Sequence, residues 1–128
     1  MPLWTFRDYV NRRGDNEIHE WLNSRHVPKK AKAAINARLV TLRGFPEFPE
    51  NYVSAYKGRP GLFELKIRYA GAQYRPFGFY GPGRQEFTLL IGAIEKDGTI
   101  APSLLDSAEK KREIVNNDTS RAIPHDFS

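Results

Sequence analysis

Hydrophobic and polar residues change their spacing several times along the chain, and each change marks an element. Trp4, Phe6, Asp8 and Val10 fall on one side of an alternating run and Thr5, Arg7 and Tyr9 on the other, the period-two pattern of a short strand. Asn11-Arg12-Arg13-Gly14 breaks it. Asp15 is then placed to cap a short helix by accepting from the free amides of its first turn. Glu17 and Glu20 suit the dipole at that end, and Ile18, Trp21 and Leu22 make the apolar stripe. Pro28 starts a second helix running to about Arg43. Ala31, Ile35, Leu39 and Leu42 form its buried seam, Lys29, Lys32, Asn36 and Arg43 lie opposite, and Gly44 ends it. Two helices so joined form a hairpin whose apolar faces need a sheet to cover them.

Pro46 and Pro49 make 45–51 a loop. Residues 52–57 (YVSAYK) read as a short strand or extended lead-in, and Gly58-Arg59-Pro60-Gly61 as a turn. The stretch 61–96 follows, GLFELKIRYAGAQYRPFGFYGPGRQEFTLLIGAIEK. Its two glycine-containing breaks cut it into three runs rich in aromatic and β-branched residues, as expected for consecutive antiparallel strands. The first alternates: Phe63, Leu65, Ile67 and Tyr69 share one face, and Glu64, Lys66 and Arg68 share the other. Pro76 removes a donor from the second run, which predicts a bulge or an unpaired edge there. The third, 89–94, is continuously apolar, as expected for the middle of a sheet covered on both faces. Pro102 and Ser103 open a last helix, with Ser103 and Asp106 in capping-box spacing. Leu104, Leu105, Ala108 and Val115 give it an apolar stripe, and Lys110, Lys111 and Arg112 load its far end with cations. Beyond that the chain turns polar and irregular, predicting one domain over 1–117 and a flexible tail over 118–128.

Composition narrows the chemistry. The 128 residues include no cysteine, which excludes disulfides and thiolate metal sites. His19, His26 and His125 have no ligand spacing, so no metal and no cofactor is expected. No apolar run approaches the ~20 residues of a membrane span, and the expected location is the cytoplasm. The formal charge of +5 points to a polyanionic partner.

The order strand, two helices, three antiparallel strands and a short helix, joined to GLFELKIRY, QYRPFGFY and LLIGAIEK, resembles the RelE/ParE superfamily of bacterial toxins, and within it the HigB-like, phage-derived branch. The resemblance implies an α+β, RelE-like fold, with an N-terminal strand and helical hairpin packed on a small antiparallel sheet and a short C-terminal helix. It further implies the toxin of a type II toxin–antitoxin pair, a ribosome-dependent mRNA endonuclease that cleaves without a metal and inhibits translation. The implied partners are mRNA on the ribosome and a cognate antitoxin with a helix-turn-helix domain, through which the toxin could oligomerise. The alternative is a non-enzymatic member, either a ParE-like gyrase inhibitor or a catalytically eroded relative.

Metal-free RNA cleavage needs a base for the 2′-hydroxyl, cations on the phosphate, an acid for the leaving oxygen, and a strand held in line. Arginine forks suit phosphate, and a lysine among cations can exchange a proton near neutrality. Lys66, Arg68, Arg75 and Lys96 are the candidates for catalysis, with Lys57, Arg59, Tyr74, Lys29 and Lys32 as RNA contacts. By resemblance Arg68 is a phosphate binder, Arg75 the arginine after tyrosine, and Lys96 the basic residue closing the third strand. The competing reading makes Glu64 with Lys66 and Arg68 an exposed ion pair, and Lys29, Lys32 and Arg43 a solvated helix face. The chain departs from the family where Lys66 replaces an arginine, Glu95 a lysine and Pro76 an apolar residue. Its last helix also lacks a late tyrosine or histidine.

Overall fold

The stretch between Gly61 and Lys96 supplies four antiparallel strands at the middle of a single mixed sheet, one more than expected because its first run is divided in two. The computed structural model describes residues 2–128. In chain order the elements are β1 (Thr5–Tyr9), α1 (Glu17–Leu22), α2 (Lys29–Leu42), β2 (Val53–Ala55), β3 (Phe63–Leu65), β4 (Ile67–Tyr69), β5 (Ala72–Tyr80), β6 (Glu86–Glu95), α3 (Pro102–Asn117), a 3-10 turn (Thr119–Arg121) and β7 (Ala122–Pro124). The strands lie in the order β2-β3-β5-β6-β1-β7, with β4 also paired to β5. β1 runs parallel to β6, so the sheet is mixed and not purely antiparallel. A parallel neighbour needs a long connection, and the helical hairpin supplies part of it.

Each face of the sheet has its own core. On one side α1 and α2 bury Ile18, Leu22, Ile35, Leu39 and Leu42 against Phe6, Leu65, Ile67 and Leu89. On the other, α3 sets Leu105, Ala108 and Val115 against Leu62, Phe77, Phe79, Leu90 and Ala93. This second core accounts for the unbroken apolar run of β6. A bulge contributes as well: Phe77 pairs with Ile91 and Gly78 with Leu89, so Leu90 is an extra residue, and Leu90 and Ile91 both enter the α3-side core.

Pro76 lies in a central strand, not on an edge. Lys66 N–H donates to Tyr52 O at 2.9 Å, away from β5, so Leu65 and Ile67 turn their amides towards β5. The register of β3 and β4 on β5 sets Leu65 opposite Pro76, which has no proton to give. The ladder lapses there, and the interruption separates β3 from β4.

Two caps differ from expectation. Asn16, not Asp15, caps α1 by accepting from His19 N–H. Asp15 instead closes the preceding turn, accepting from Asn11 Nδ2 at 3.0 Å. α3 begins after Ala101, which has no side-chain acceptor to cap it, so Ser103 falls inside the helix and Asp106 is engaged by Arg59 instead.

The expected flexible tail is ordered. β7 pairs antiparallel with β1, and His125 N–H donates to Phe6 O at 2.9 Å. The His125 ring is buried between Asp8 and Asn36, and Phe127 packs against the α1/α2 core. A polar-looking segment is held because its polar groups meet buried polar partners from β1 and α2.

Candidate functional site

The part of the α3-side face that α3 leaves uncovered is a polar grid built by strand register. Glu64 pairs with Phe77, Arg68 with Gln73, and the same register sets Lys66 opposite Arg75. Across the next seam Phe77 pairs with Ile91, Arg75 with Ala93 and Gln73 with Glu95. Because strand side chains alternate, Glu64, Lys66, Arg68, Gln73, Arg75 and Glu95 all project from one face. The alternation of the first strand and the position of Arg75 therefore converge on a single surface.

Arg75 is the centre of that grid and is 9% exposed. Its Nη2 donates to Gln73 Oε1 at 2.9 Å, and its Nη1 makes a long bond of 3.4 Å to Tyr74 O. Glu95 Oε2 lies 3.8 Å from Nη2, and Glu64 Oε2 lies 3.9 Å from Nε. These are ion-pair separations, not hydrogen bonds, and Nε is buried with no hydrogen-bond partner. A guanidinium binds oxyanions as a planar fork of donors. Here the fork is only partly used.

Burial lifts the Glu64 carboxyl above the usual carboxylate range; Arg75 and Lys66 pull it down, and Glu95 pushes it up. Lys66 is half-buried and Arg68 exposed. Among the described residues neither side chain is ion-paired, so both cations are available to an anion.

The other sequence candidates are dispersed. Lys96 follows β6 in a backbone bridge to Thr99, one position out of phase with Glu95, so it does not continue the row of Ala93 and Glu95. Tyr74 points to the opposite side of the sheet, buried in the α1/α2 core with its ring 6.5 Å from that of Trp21. It packs, and is not free to stack on a base. Arg59 is clamped to Asp106 at 2.6 Å and to Glu109, and with Arg112 Nη1 on Pro60 O it pins the 57–62 turn to α3. Lys57 on that turn is exposed. Lys29 and Lys32 belong to α2, across the sheet from the grid, so they form no continuous track with Lys66 and Arg68.

Sequence reasoning missed Gln73 as the side chain that orients Arg75. The signal was present, since residues two apart in a strand share a face. The groups at this surface are suited to holding an oxyanion and, through Glu64, to exchanging a proton beside it. Among the described residues no cluster of histidine, aspartate and glutamate has the arrangement of a metal site. No helix is long and apolar enough to cross a membrane.

No protein-family model and no curated protein matches the chain. Its structure is similar to a solved structure of the E. coli toxin RelE, a double-arginine mutant in the free state, with a TM-score of 0.53, 18% identity, and coverage of 88% of this chain and 98% of that one. At that identity the likeness establishes the fold alone: the chain is an α+β protein with the RelE-like fold.

Proposed function

We propose that the chain is the toxin of a type II toxin–antitoxin pair, acting as a ribosome-dependent, metal-free mRNA endonuclease of the HigB-like kind. One observation carries this reading: Lys66, Arg68 and Arg75 share a single sheet face with a carboxyl of raised pKa, Glu64. In the reaction proposed, the 2′-oxygen of one nucleotide attacks its own 3′-phosphorus and the 5′-oxygen of the next leaves. Arg68 and Arg75 hold the phosphate oxygens as charge accumulates. Glu64 takes the 2′-proton, for which a carboxylate with a raised pKa is better suited than an ordinary one. Lys66 lies beside both and donates to the leaving oxygen. The same fold in a protein described as the toxin RelE supports the toxin part of this reading by analogy.

Induced expression with transcripts mapped at nucleotide resolution tests it. Growth arrest with new transcript ends inside reading frames is expected, and Arg68→Ala is expected to remove both. Unimpaired growth with intact transcripts would refute it.

A second reading is favoured by the surroundings of Arg75, which faces Glu64 and Glu95 and is thereby largely neutralised. In that reading the chain is a non-enzymatic toxin-fold protein, either a gyrase inhibitor or an eroded member. A supercoiling assay with purified gyrase separates the two, since a nuclease leaves supercoiling untouched. Either reading includes a cognate antitoxin, and co-expression of a small neighbouring gene that restores growth would identify it.

A further inference from the structure

On the opposite side of the sheet from Arg75, a groove runs along the outer face of α2, bounded by the connection from α1 and by Phe127 and Ser128. Ala33, Ala37 and Val40 lie along it at helical spacing and all three are exposed, Val40 to 47%. Arg25, Lys29 and Lys32 also line it, and no aspartate or glutamate does. None of the three cations is ion-paired among the described residues; Lys32 Nζ donates to Asn23 Oδ1 at 2.8 Å. The wall at Phe127 is fixed in place. Arg43 lies over its ring at 4.5 Å, and His125 anchors the segment to Asp8 and Asn36.

We infer that this groove docks an acidic amphipathic helix from a partner protein. The cations without a counter-charge call for carboxylates at the rim, and the aliphatic floor calls for apolar side chains beneath them. The stretch from Lys29 to Val40 is roughly 16 Å long at the rise of an α-helix, which matches about three turns of a partner. Such a partner presents leucine-like residues at i, i+3, i+4 and i+7 to the floor and glutamates or aspartates to Arg25, Lys29 and Lys32. Single-stranded RNA is a poorer fit, because the floor of alanine and valine methyls offers no stacking platform and the ring of Phe127 at the groove wall already has Arg43 over its face. The inference does not depend on the RNA surface, which lies across the sheet.

The test is an NMR titration of the full chain with a synthetic amphipathic helix of leucine and glutamate, beside the same helix with lysine for glutamate and a short single-stranded RNA. Amide shifts centred on Ala33, Ala37, Val40 and Phe127 are expected with the glutamate helix alone. The double variant Lys29→Glu, Lys32→Glu and the single variant Val40→Asp should each weaken binding about tenfold or more, as loss of a charge pair or an apolar anchor does. Both change exposed or half-exposed positions, and an unchanged thermal midpoint verifies that the fold survives. Shifts centred on Lys66 and Arg68 instead, equal binding of the lysine helix, or no shift at millimolar peptide would overturn the proposal. So would RNA in the groove, or self-association of the chain that excludes the helix.

Discussion

His125 Nδ1 lies 2.7 Å from Asp8 Oδ1, joining the segment just after the last strand to the first strand across 117 residues of sequence. Asn36 Oδ1 sits 2.9 Å from the other ring nitrogen, and Asn16 Nδ2 donates to the second oxygen of Asp8 at 2.9 Å. One buried carboxylate thus ties together β1, the cap of α1, α2 and the C-terminal segment. His125→Ala would leave Asp8 buried with one partner fewer, and breaking a buried pair of this kind costs about 3 kcal/mol. Urea unfolding is expected to show that loss as a lower midpoint with an unchanged slope. A loss within the ~0.5 kcal/mol of ordinary surface substitutions would mean that the segment is not held in this way.

That contact also explains which parts of the fold could be read from the chain. The alternation of Glu64, Lys66 and Arg68 against Leu65 and Ile67 is a local signal, and the strands formed where it occurs. The apolar run of β6 announced coverage on both faces, and both cores exist. His125, Asp8 and Asn36 carry no such signal, because their pairing is set by tertiary placement and not by spacing. The site divides the same way. Lys66, Arg68 and Arg75 converge because strand register is regular, whereas the phase of Lys96 and the inward turn of Tyr74 depend on where strands end and which face is buried. The role of Arg59 was likewise hidden, since its carboxylate partners lie 47 and 50 residues away.

The contact between α1 and the sheet is made at a residue without a side chain. A β-carbon added to Gly92 would overlap the six-membered ring of Trp21, which lies directly over it. Gly92→Ala is therefore expected to destabilise by about 2 kcal/mol, the range of an overpacked core. Trp21→Leu in the same chain should recover part of the loss by vacating that space, and the double-mutant cycle measures the coupling. Additive effects of the two substitutions would contradict the packing described.

Acid sensitivity has an identifiable source at the edge of β6. Glu86 accepts from Arg7 Nε at 2.9 Å and from Gly83 N–H at 2.8 Å, and the arginine in particular holds its carboxyl below the usual range. A carboxyl with a folded pKa below its unfolded one binds fewer protons when folded. Its stabilising contribution is complete above the unfolded value and is lost as pH falls through the folded one. Unfolding free energies measured from neutral pH into the acid range should therefore fall less steeply in Arg7→Gln than in the unsubstituted chain. The two curves should converge once Glu86 is protonated in both states. Parallel curves over that range would show that Glu86 is not the group responsible.

Arg75 faces two carboxylates that compete with any incoming phosphate, and the proposed function turns on whether they yield. Glu95 lies 3.8 Å from its Nη2, close enough to offset much of its charge yet too far to satisfy its protons. Glu95→Gln removes that competitor while keeping the shape of the side chain. If the face binds RNA, affinity for a short single-stranded oligonucleotide should rise about fivefold, equivalent to ~1 kcal/mol. Arg68→Ala should lower affinity and reduce the salt dependence by about one released counterion. Arg75→Ala should weaken binding more than Arg68→Ala if the buried guanidinium takes the phosphate, and less if it only holds Glu64 and Glu95 in place. Glu64→Gln divides binding from chemistry: it should preserve or raise RNA affinity while abolishing cleavage if that carboxyl is the base. Retained cleavage by Glu64→Gln would assign the proton transfer to another group, and unchanged RNA binding in all four variants would move the RNA surface away from this sheet face.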